Sequence, residues 1–399
     1  MEHHNEVFVG IDTSKLKNAV AVAEAGRDGE VRYQGAFDSS AAVTRKWVAR
    51  LAAKYGKLRF CYEAGPTGYG LQRLITSLGH RCDVVAPSLI PKRAGDRVKT
   101  NRRDAESLAR LLRAGELTPV WVPDAEHEAI RDLSRAREAA VDDLKRKRQQ
   151  ILSLLLRHGL HYPGKKTWGK AHRTWLSQVA LAERGTRIAF EELLAAEREA
   201  QARVDRLKAA IRDAVEDWSL APQLIALQAL RGVELINAVV LLAEIGDLSR
   251  FSSAGELMAW LGLVPSEDST GEEVKRGPIT KAGNRRARRA LIEAAWSYRH
   301  PPRVGQAMAA RVAAAPRAAR GIAWKAQLRL SARYRRLTTK GKRPTVAVTA
   351  IARELAGFVW DIGRQVMPGA ARSLAVPSGP VDRSSKMRAR PAYRPSVGG

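Results

Sequence analysis

Between residues 7 and 115 short apolar runs alternate with segments of helical periodicity, and this alternation restricts the fold more than any other feature of the chain. Strand-like runs occur at residues 7–11, 19–23, 31–37, 58–62 and 82–85, and helical patterns occur at 41–54, in the segment ending at 78, and at 102–114. Three hairpin-like strands followed by alternating helices and strands predict a mixed sheet with helices packed on its faces.

Carboxylates stand where two of these apolar runs stop. Asp12 ends the first run and Glu63 ends the fourth, while Asn101 and Asp104 lie one turn apart near the start of a helix. Three carboxylates brought together repel one another unless a divalent cation lies between them, and Mg²⁺ prefers such oxygen ligands. Each residue alone is better explained as a turn cap, a surface acid or a helix N-terminal residue. Together, beside a basic segment, they predict a Mg²⁺ site.

A second candidate site is a loop with two adjacent hydroxyls. Ser269 and Thr270 precede Gly271, and Lys275, Arg276 and Lys281 follow within the next ten residues. Such cations hold a phosphodiester and stabilise the charge that develops when a hydroxyl attacks it. The alternative is a loop whose hydroxyls donate hydrogen bonds to a phosphate without reacting. Composition alone favours that alternative.

The charge of the chain indicates an anionic partner. The 399 residues carry 69 Lys or Arg and 41 Asp or Glu, a net charge of +28, and residues 275–343 contain 20 Lys or Arg with Glu293 as their single acid. Nucleic acid is the commonest partner for such an excess. The residues predicted to contact nucleic acid are Lys99, Arg102, Arg103, Lys275, Arg276, Lys281, Arg285 and Arg286.

The length predicts two or three domains. We expect an α/β domain at residues 1–125, a helical arm at 126–220, a mostly helical domain at 221–366 and a disordered tail at 367–399 that is rich in Pro, Ser, Gly and Arg. In the arm, Val204, Leu207, Ile211 and Ala214 follow a coiled-coil alternation. The alternatives are packing inside one chain and dimerisation through the arm, of which we favour dimerisation.

Other features indicate a cytoplasmic, nucleoid-associated protein. No apolar run reaches the roughly 18 residues of a membrane-spanning helix, and the first residues lack the order of a secretion signal. Cys61 and Cys82, in apolar runs, are expected to be buried, reduced thiols. Trp296, Trp324 and Trp360 are interpreted as core residues first and as platforms for base stacking second.

Several motifs occur in the same order as in a known family. Residues 9–15, 62–68 and 99–105 resemble the RuvC-like domain of the insertion-sequence transposases called DEDD transposases, which are bridge-RNA-guided recombinases. Residues 230–233, 243–251, 262–265 and 279–284 are similar to the C-terminal transposase domain of that family. No single motif is specific, but their order across residues 7–300 is.

The resemblance implies a function that composition and spacing do not reach. It implies an RNase H-like metal domain, a coiled-coil dimerisation arm and a domain with a nucleophilic serine. It also implies a structured bridge RNA that pairs with donor and target DNA, a tetramer with composite sites built from two subunits, and a covalent link between protein and DNA. We therefore predict an RNA-guided DNA recombinase that acts by Mg²⁺-assisted transesterification, as a homo-oligomer, with no membrane partner.

The chain departs from the family pattern at two positions. Asp12, Glu63 and Asp104 match three of the four metal-site acids, but Asn101 stands where the family has Asp. When the family pattern is aligned on Gly271, Thr270 stands at the position of the family's serine, and Ser269 lies one residue earlier. We favour Ser269, because a primary hydroxyl is less hindered.

Two alternative functions remain open. One is a structure-specific nuclease in which water attacks without a covalent intermediate. The other is a catalytically decayed nucleic-acid-binding assembly protein, which Asn101 most supports.

Overall fold

The computed structural model describes residues 6–91, 100–270 and 273–366. The chain divides into two compact units, Met1–Asp124 and Ala125–Gly399. The first unit contains a mixed sheet with helices, and the described part of the second is mainly helical with one small hairpin. The predicted order of an α/β region followed by helices is confirmed. The predicted disordered tail, 367–399, lies outside the described residues.

The sheet of the first unit has five strands in the order β3-β2-β1-β4-β5. The strands β1, β2 and β3 pair antiparallel, whereas β4 and β5 continue the sheet in parallel with β1. Antiparallel neighbours need short turns, and the parallel strands are reached through helices. The strands are β1 Glu6–Thr13, β2 Lys17–Ala23, β3 Val31–Asp38, β4 Lys57–Glu63 and β5 Arg81–Val85.

Helices cover both faces of this sheet. Alternate residues of β1, among them Val9 and Ile11, form one core cluster with Trp47 of α1 and Ile75 of α2. The opposite face, with Ala21 of β2, packs against α3. The period of two along each strand thus divides the apolar residues between two layers. The helices are α1 Ala41–Tyr55, α2 Gly70–Ser77 and α3 Asn101–Ala114.

Two long helices dominate the start of the second unit. They are α4 Ala125–Arg157 and α6 Arg184–Ala214, with α5 Lys170–Gln178 between them. The two run antiparallel, because Val204 packs with Leu144 while Phe190, nearer the start of α6, packs with Leu154, nearer the end of α4.

The predicted coiled-coil stripe therefore has its partner in the same chain. Val204 and Ile211 are buried in intramolecular clusters. The prediction that Ala214 belongs to the buried stripe is wrong, because Ala214 is exposed. Val215, the residue directly after α6, is buried instead. Dimerisation through the arm remains a prediction that would use a different surface.

The remaining helices pack around one core that also includes the base of the arm. Ile130 of α4 and Ile211 of α6 belong to the same cluster as Leu242 and Leu355, so no separate core begins at the predicted boundary near residue 220. The elements are α7 Ala221–Leu227, α8 Leu235–Ile245, α9 Ala254–Trp260, β6 Pro265–Glu267, β7 Arg276–Ile279, α10 Arg285–Ala295, α11 Gln306–Ala314, α12 Arg317–Thr339 and α13 Pro344–Val366. Within the described residues, no helix has the length and apolar character needed to cross a membrane.

Candidate functional site

Asp12 and Glu63 lie at the ends of two neighbouring parallel strands. In the register of β1 and β4, Ile11 pairs with Tyr62, so Asp12 and Glu63 are the next residues on each strand. Asp12 is partly exposed and Glu63 is exposed. The backbone therefore delivers both carboxylates to one edge of the sheet, where solvent and a ligand can reach them.

Both carboxylates belong to the face of the sheet that α3 covers. Gly10, two residues before Asp12, lies so close to α3 that a Cβ atom there would be 2.3 Å from the Ala105 carbonyl oxygen. Cys61, two residues before Glu63, directs its Sγ toward the Leu108 carbonyl oxygen at 3.6 Å. Because alternate residues of a strand face the same way, Asp12 and Glu63 also belong to this face.

The direction of α3 places its N-terminus at the same edge. At the far end of the helix, Arg113 donates hydrogen bonds to the carbonyl oxygens of Glu24, at 3.1 Å, and Gly29, at 2.6 Å. Glu24 comes directly after β2, and the last residue of β2, Ala23, pairs with Phe8 near the start of β1. The C-terminal end of α3 thus lies beside the start of β1, so α3 runs antiparallel to β1. Asn101 and Asp104, in the first turn of α3, therefore lie at the end where Asp12 and Glu63 are found.

Asn101 and Asp104 are on the sheet-facing side of α3. They share that side with the buried Ala105 and Leu108, because residues three or four apart on a helix are neighbours. Thr100 caps the helix by accepting a hydrogen bond from the backbone N–H of Arg103. Helix N-termini carry partial positive charge and attract anions, including phosphate.

The donor chemistry at this edge fits a hard divalent cation. Oxygen atoms of three carboxylates and one amide suit Mg²⁺ or Mn²⁺ better than Zn²⁺. Burial raises the pKa of the Cys61 thiol on the same face, so this cysteine stays protonated and is a poor ligand.

The side chains do not form a closed ligand cage. Among the described residues, no three His, Cys, Asp or Glu side chains are grouped closely enough to hold a metal ion. Asp12 and Asp104 make polar or electrostatic contacts within the chain. The backbone thus brings these residues to one edge, and their side chains would have to turn toward a bound cation.

Ser269 and Thr270 lie on an exposed hairpin of the second unit. The strands β6 and β7 pair antiparallel, and the pairing extends toward the tip through Asp268, whose N–H donates to the Lys275 carbonyl oxygen at 2.9 Å, and through a bridge between Thr270 and Glu273. Gly271, the residue that sets the family register, lies outside the described residues.

The two hydroxyls have different surroundings. The Ser269 hydroxyl donates to Oε1 of Glu267 at 3.1 Å, as two residues on the same side of an extended chain allow. Thr270 follows at the next position, which faces the other side of the hairpin. Both side chains are exposed. Ser269 therefore has a carboxylate beside it that can receive its proton, a feature that was not predicted from the sequence.

The base of this hairpin is held by close backbone packing. A Cβ atom on Gly283 would lie 1.8 Å from the Trp260 carbonyl oxygen, and Lys281 beside it adopts a φ of 56°. Glycine tolerates such an approach, and Lys281 adopts a left-handed conformation in the same turn after β7.

The predicted nucleic-acid contacts fall into two groups. Arg102 pairs with Glu106 at 2.8 Å, Arg276 lies 3.5 Å from Glu267, and Arg286 pairs with Glu138. The others for which the structure gives a position are all exposed: Arg103, Lys275, Lys281 and Arg285. Within the described ranges, Lys275, Lys281 and Arg285 form no ion pair, which leaves their charge available to an anion. Lys99 lies outside the described residues.

Two arginines that the sequence did not predict as contacts lie beside Arg285 and Arg286 in the second unit. Arg135 of α4 and Arg289 of α10 line a pocket of about 360 Å³ together with Arg285, Arg286 and two acids, Glu138 and Asp142. Arg135 also forms two hydrogen bonds, at 2.8 and 3.0 Å, with the buried Glu244. Arg135 is not predictable from the sequence, because its position in a long charged helix does not reveal which charges face α10.

Comparison with known proteins decides the family. The model described as Transposase IS116/IS110/IS902 family matches residues 225–310, and a DEDD-type IS110 transposase model matches residues 9–159. The Sinorhizobium fredii NGR234 protein named "Putative transposase y4qE" is 55% identical over 362 residues, which cover 91% of this chain and 90% of that protein. The chain belongs to the IS110 family of transposases. A transposase for insertion sequence element IS1533, from Leptospira borgpetersenii, is 28% identical over 85% of this chain and 98% of its own length.

The two family matches cover both candidate sites. The IS110 transposase is a DNA transposase, and its first unit is the RNase H-like DEDD domain that the resemblance implied. The DEDD match spans Asp12, Glu63, Asn101 and Asp104, and the other family match spans the hairpin with Ser269 and Thr270. Residues 317–339, which form α12, lie beyond both matches.

Proposed function

We propose that this IS110 transposase cuts and rejoins donor and target DNA with Mg²⁺ held by Asp12, Glu63 and Asp104, assisted by the amide oxygen of Asn101. The observation that carries the proposal is the parallel register of β1 and β4, which puts Asp12 and Glu63 at adjacent strand ends beside the start of α3. A DEDD-type transposase domain supports dependence on a divalent cation.

The cation would position and polarise the scissile phosphate. The chain's own residues supply the rest of the environment. Carboxylates on a partly exposed edge hold the divalent ion, and the N-terminus of α3 favours the phosphate that approaches it. Asn101 contributes an oxygen without a negative charge, so the site has one carboxylate fewer than the family pattern.

Ser269 is proposed as the nucleophile, with Thr270 as the second choice. The Ser269 oxygen forms a bond to phosphorus, and the bond from phosphorus to one deoxyribose oxygen breaks. Glu267 accepts the hydroxyl proton and passes it to water, and the released strand takes up one proton and ends in a hydroxyl. The product is a phosphodiester between Ser269 and DNA, which a free DNA hydroxyl can attack to rejoin the strands. The 3.1 Å hydrogen bond between Ser269 and Glu267 supports this choice.

Sequence choice in this proposal is delegated to a structured RNA. The net charge of +28 suits a protein that carries both RNA and DNA. Base pairing between the RNA and each DNA would select the sites, while Lys275, Lys281 and Arg285 hold phosphates without reading bases. The active assembly would be a homo-oligomer, a dimer or a tetramer.

The test is strand transfer between a donor and a target plasmid, with RNA transcribed from the DNA beside the gene, and with protein–DNA adducts resolved on denaturing gels. We expect recombination to need Mg²⁺ and the RNA. Asp12→Asn should lower it by at least roughly 100-fold, since loss of a metal ligand removes several kcal/mol of stabilisation. Asp28→Asn, which removes a charge from an exposed turn of the same unit, is the matched control and should retain activity.

The adduct separates this mechanism from its alternatives. We expect Ser269→Ala to abolish the adduct and Thr270→Ala to reduce it less. Cleavage without an adduct under any condition would instead identify a nuclease in which water attacks. Binding of RNA and DNA with neither cleavage nor recombination would identify a decayed enzyme.

A further inference from the structure

The longest stretch without an acid lies in the C-terminal helices. Residues 294–353 contain 14 Lys or Arg and no Asp or Glu. The helix α12, Arg317–Thr339, runs through the middle of this stretch and lies outside both family matches. Such a concentration of one sign repels itself and is stabilised when an anion neutralises it.

One face of α12 packs into the protein and the opposite face is open. Ala319, Ala323, Ala326 and Leu330 are buried in the core of the second unit. On the opposite side, helical spacing aligns four exposed residues along the axis: Arg317, Trp324, Leu328 and Arg335. At 1.5 Å per residue the line from Arg317 to Arg335 is about 27 Å long.

Trp324 is the unusual member of this face. It is 43% exposed, and Leu328 one turn later is 47% exposed. Trp296 and Trp360, by contrast, are partly buried against the core, and Trp360 donates its indole N–H to the Phe251 carbonyl oxygen at 3.0 Å. The prediction that all three are core residues first is wrong for Trp324. Gly321, one turn before Trp324, has nothing within 4 Å of where a Cβ atom would lie, so the space beside the indole is open.

The cations around Trp324 are available to a ligand. Arg329 and Arg333 pair with Glu354 of α13. Arg317, Arg320 and Lys325 are exposed and form no ion pair with any residue that the structure describes. Arg320 lies one turn before Trp324 and Lys325 immediately follows it, so cations flank the indole on both sides.

Charge and shape together select the occupant. A second copy of this surface would bring like charges together, which disfavours self-association here. A flat aromatic ring between cations is the arrangement that binds single-stranded nucleic acid, because bases stack on the ring and phosphates contact the cations. In a duplex the bases stack on each other, so the ring would find no free base.

We propose that the exposed face of α12 binds an unpaired segment of nucleic acid, with a base stacked on Trp324 and the flanking phosphates held by Arg317, Arg320 and Lys325. The required chemistry, an unpaired base between phosphates, is present both in a loop of an RNA and in a displaced DNA strand. The proposal does not depend on the mechanism of strand transfer, because it concerns binding alone.

The test measures binding of fluorescent oligonucleotides to the full chain by anisotropy, in EDTA so that no cleavage occurs. Single-stranded RNA, single-stranded DNA and a duplex of the same sequence are compared. We expect Trp324→Ala to weaken single-strand binding by roughly 5- to 100-fold and to leave duplex binding nearly unchanged. Trp324→Phe should restore most of the affinity. The single strand that binds more tightly identifies the natural source.

A second pair of variants tests the phosphate contacts. Arg317→Gln/Arg320→Gln should reduce the slope of the logarithm of single-strand affinity against the logarithm of salt concentration by about 1.4. The matched control, Arg45→Gln/Lys46→Gln, removes two exposed charges from α1 and should leave the slope unchanged.

Three results would overturn the proposal. They are unchanged single-strand affinity in Trp324→Ala, an equal loss for single strand and duplex, and a changed oligomeric state with unchanged oligonucleotide binding, which would identify a protein interface. Failure of strand transfer in the preceding experiments would leave these outcomes unaffected.

Discussion

Replacing Gly10 by alanine tests whether contact between β1 and α3 brings Asp12, Glu63 and Asp104 together at one edge of the sheet, called here the acidic edge. A Cβ atom at Gly10 would lie 2.3 Å from the Ala105 carbonyl oxygen and 2.4 Å from the Ala109 nitrogen. Real Cβ contacts are rarely shorter than 3.0 Å, so α3 must withdraw by at least 0.7 Å. Both contact atoms belong to helix backbone, so the movement involves the whole helix and cannot be absorbed by one side chain.

The expected loss of stability is about 1–3 kcal/mol, the usual cost of forcing an extra carbon into a packed core. The same movement shifts Asp104 relative to Asp12. A displacement of about 1 Å in a catalytic group lowers activity by roughly 100-fold. We therefore expect Gly10→Ala to lose activity in the plasmid assay under conditions where it remains folded.

Urea denaturation and plasmid recombination, measured on the same preparations, check both expectations. The matched control is Gly70→Ala in the same unit. Gly70 is the first residue of α2, and a Cβ atom added there would meet nothing within 4 Å, so alanine should be neutral or stabilising by about 0.4–1 kcal/mol. A Gly10→Ala protein with unchanged stability and full activity would refute the close packing of α3 against β1.

Three further predictions concern the second unit. Burial raises the pKa of Glu244, but hydrogen bonds from Arg135 and Asn284 outweigh it and lower the pKa overall. This stabilisation is complete above the unfolded pKa of about 4.3 and is lost as pH falls through the folded value. Glu244→Gln should therefore lower the free energy of unfolding by about 3 kcal/mol at neutral pH. It should also make that free energy, measured with urea, fall less steeply as the pH is lowered, and an equally steep fall would contradict the lowered pKa of Glu244. Glu197→Ala leaves two arginines without their buried carboxylate, so hydrogen exchange in α5 should accelerate, and unchanged exchange would argue against that pairing. Ile211→Ala should lower the free energy of unfolding by about 2–5 kcal/mol and leave the oligomeric state unchanged, and a change in oligomeric state would indicate packing between chains.

The acidic edge was predictable because its signals are local. An apolar run that stops at Asp12, and another that stops at Glu63, are readable from composition along a few residues. The seating of α3 was not predictable in this way, since it depends on Gly10 meeting Ala105, nearly a hundred residues later. Likewise the hydrogen bond from Ser269 to Glu267 needed the hairpin geometry, although both residues are close in sequence.

The predicted coiled-coil stripe illustrates the same limit. Its periodicity indicated correctly that Val204 and Ile211 are apolar contacts of a helix. It did not indicate the partner, which is α4 of the same chain, or the point where the stripe ends. Trp324 is the converse case, because its position in a helix suggested burial and the packing of α12 leaves it outside.

The sequence by itself determined which segments form strands and helices, where the carboxylates and hydroxyls stand along them, and the strongly basic character of the chain. Tertiary structure alone decided which strand pairs with β1, the direction in which α3 crosses the sheet, and which apolar helix faces are covered. The reason is physical. Periodicity of two or 3.6 residues reports that a face is apolar, whereas the element that covers the face is selected by packing between residues far apart in the chain.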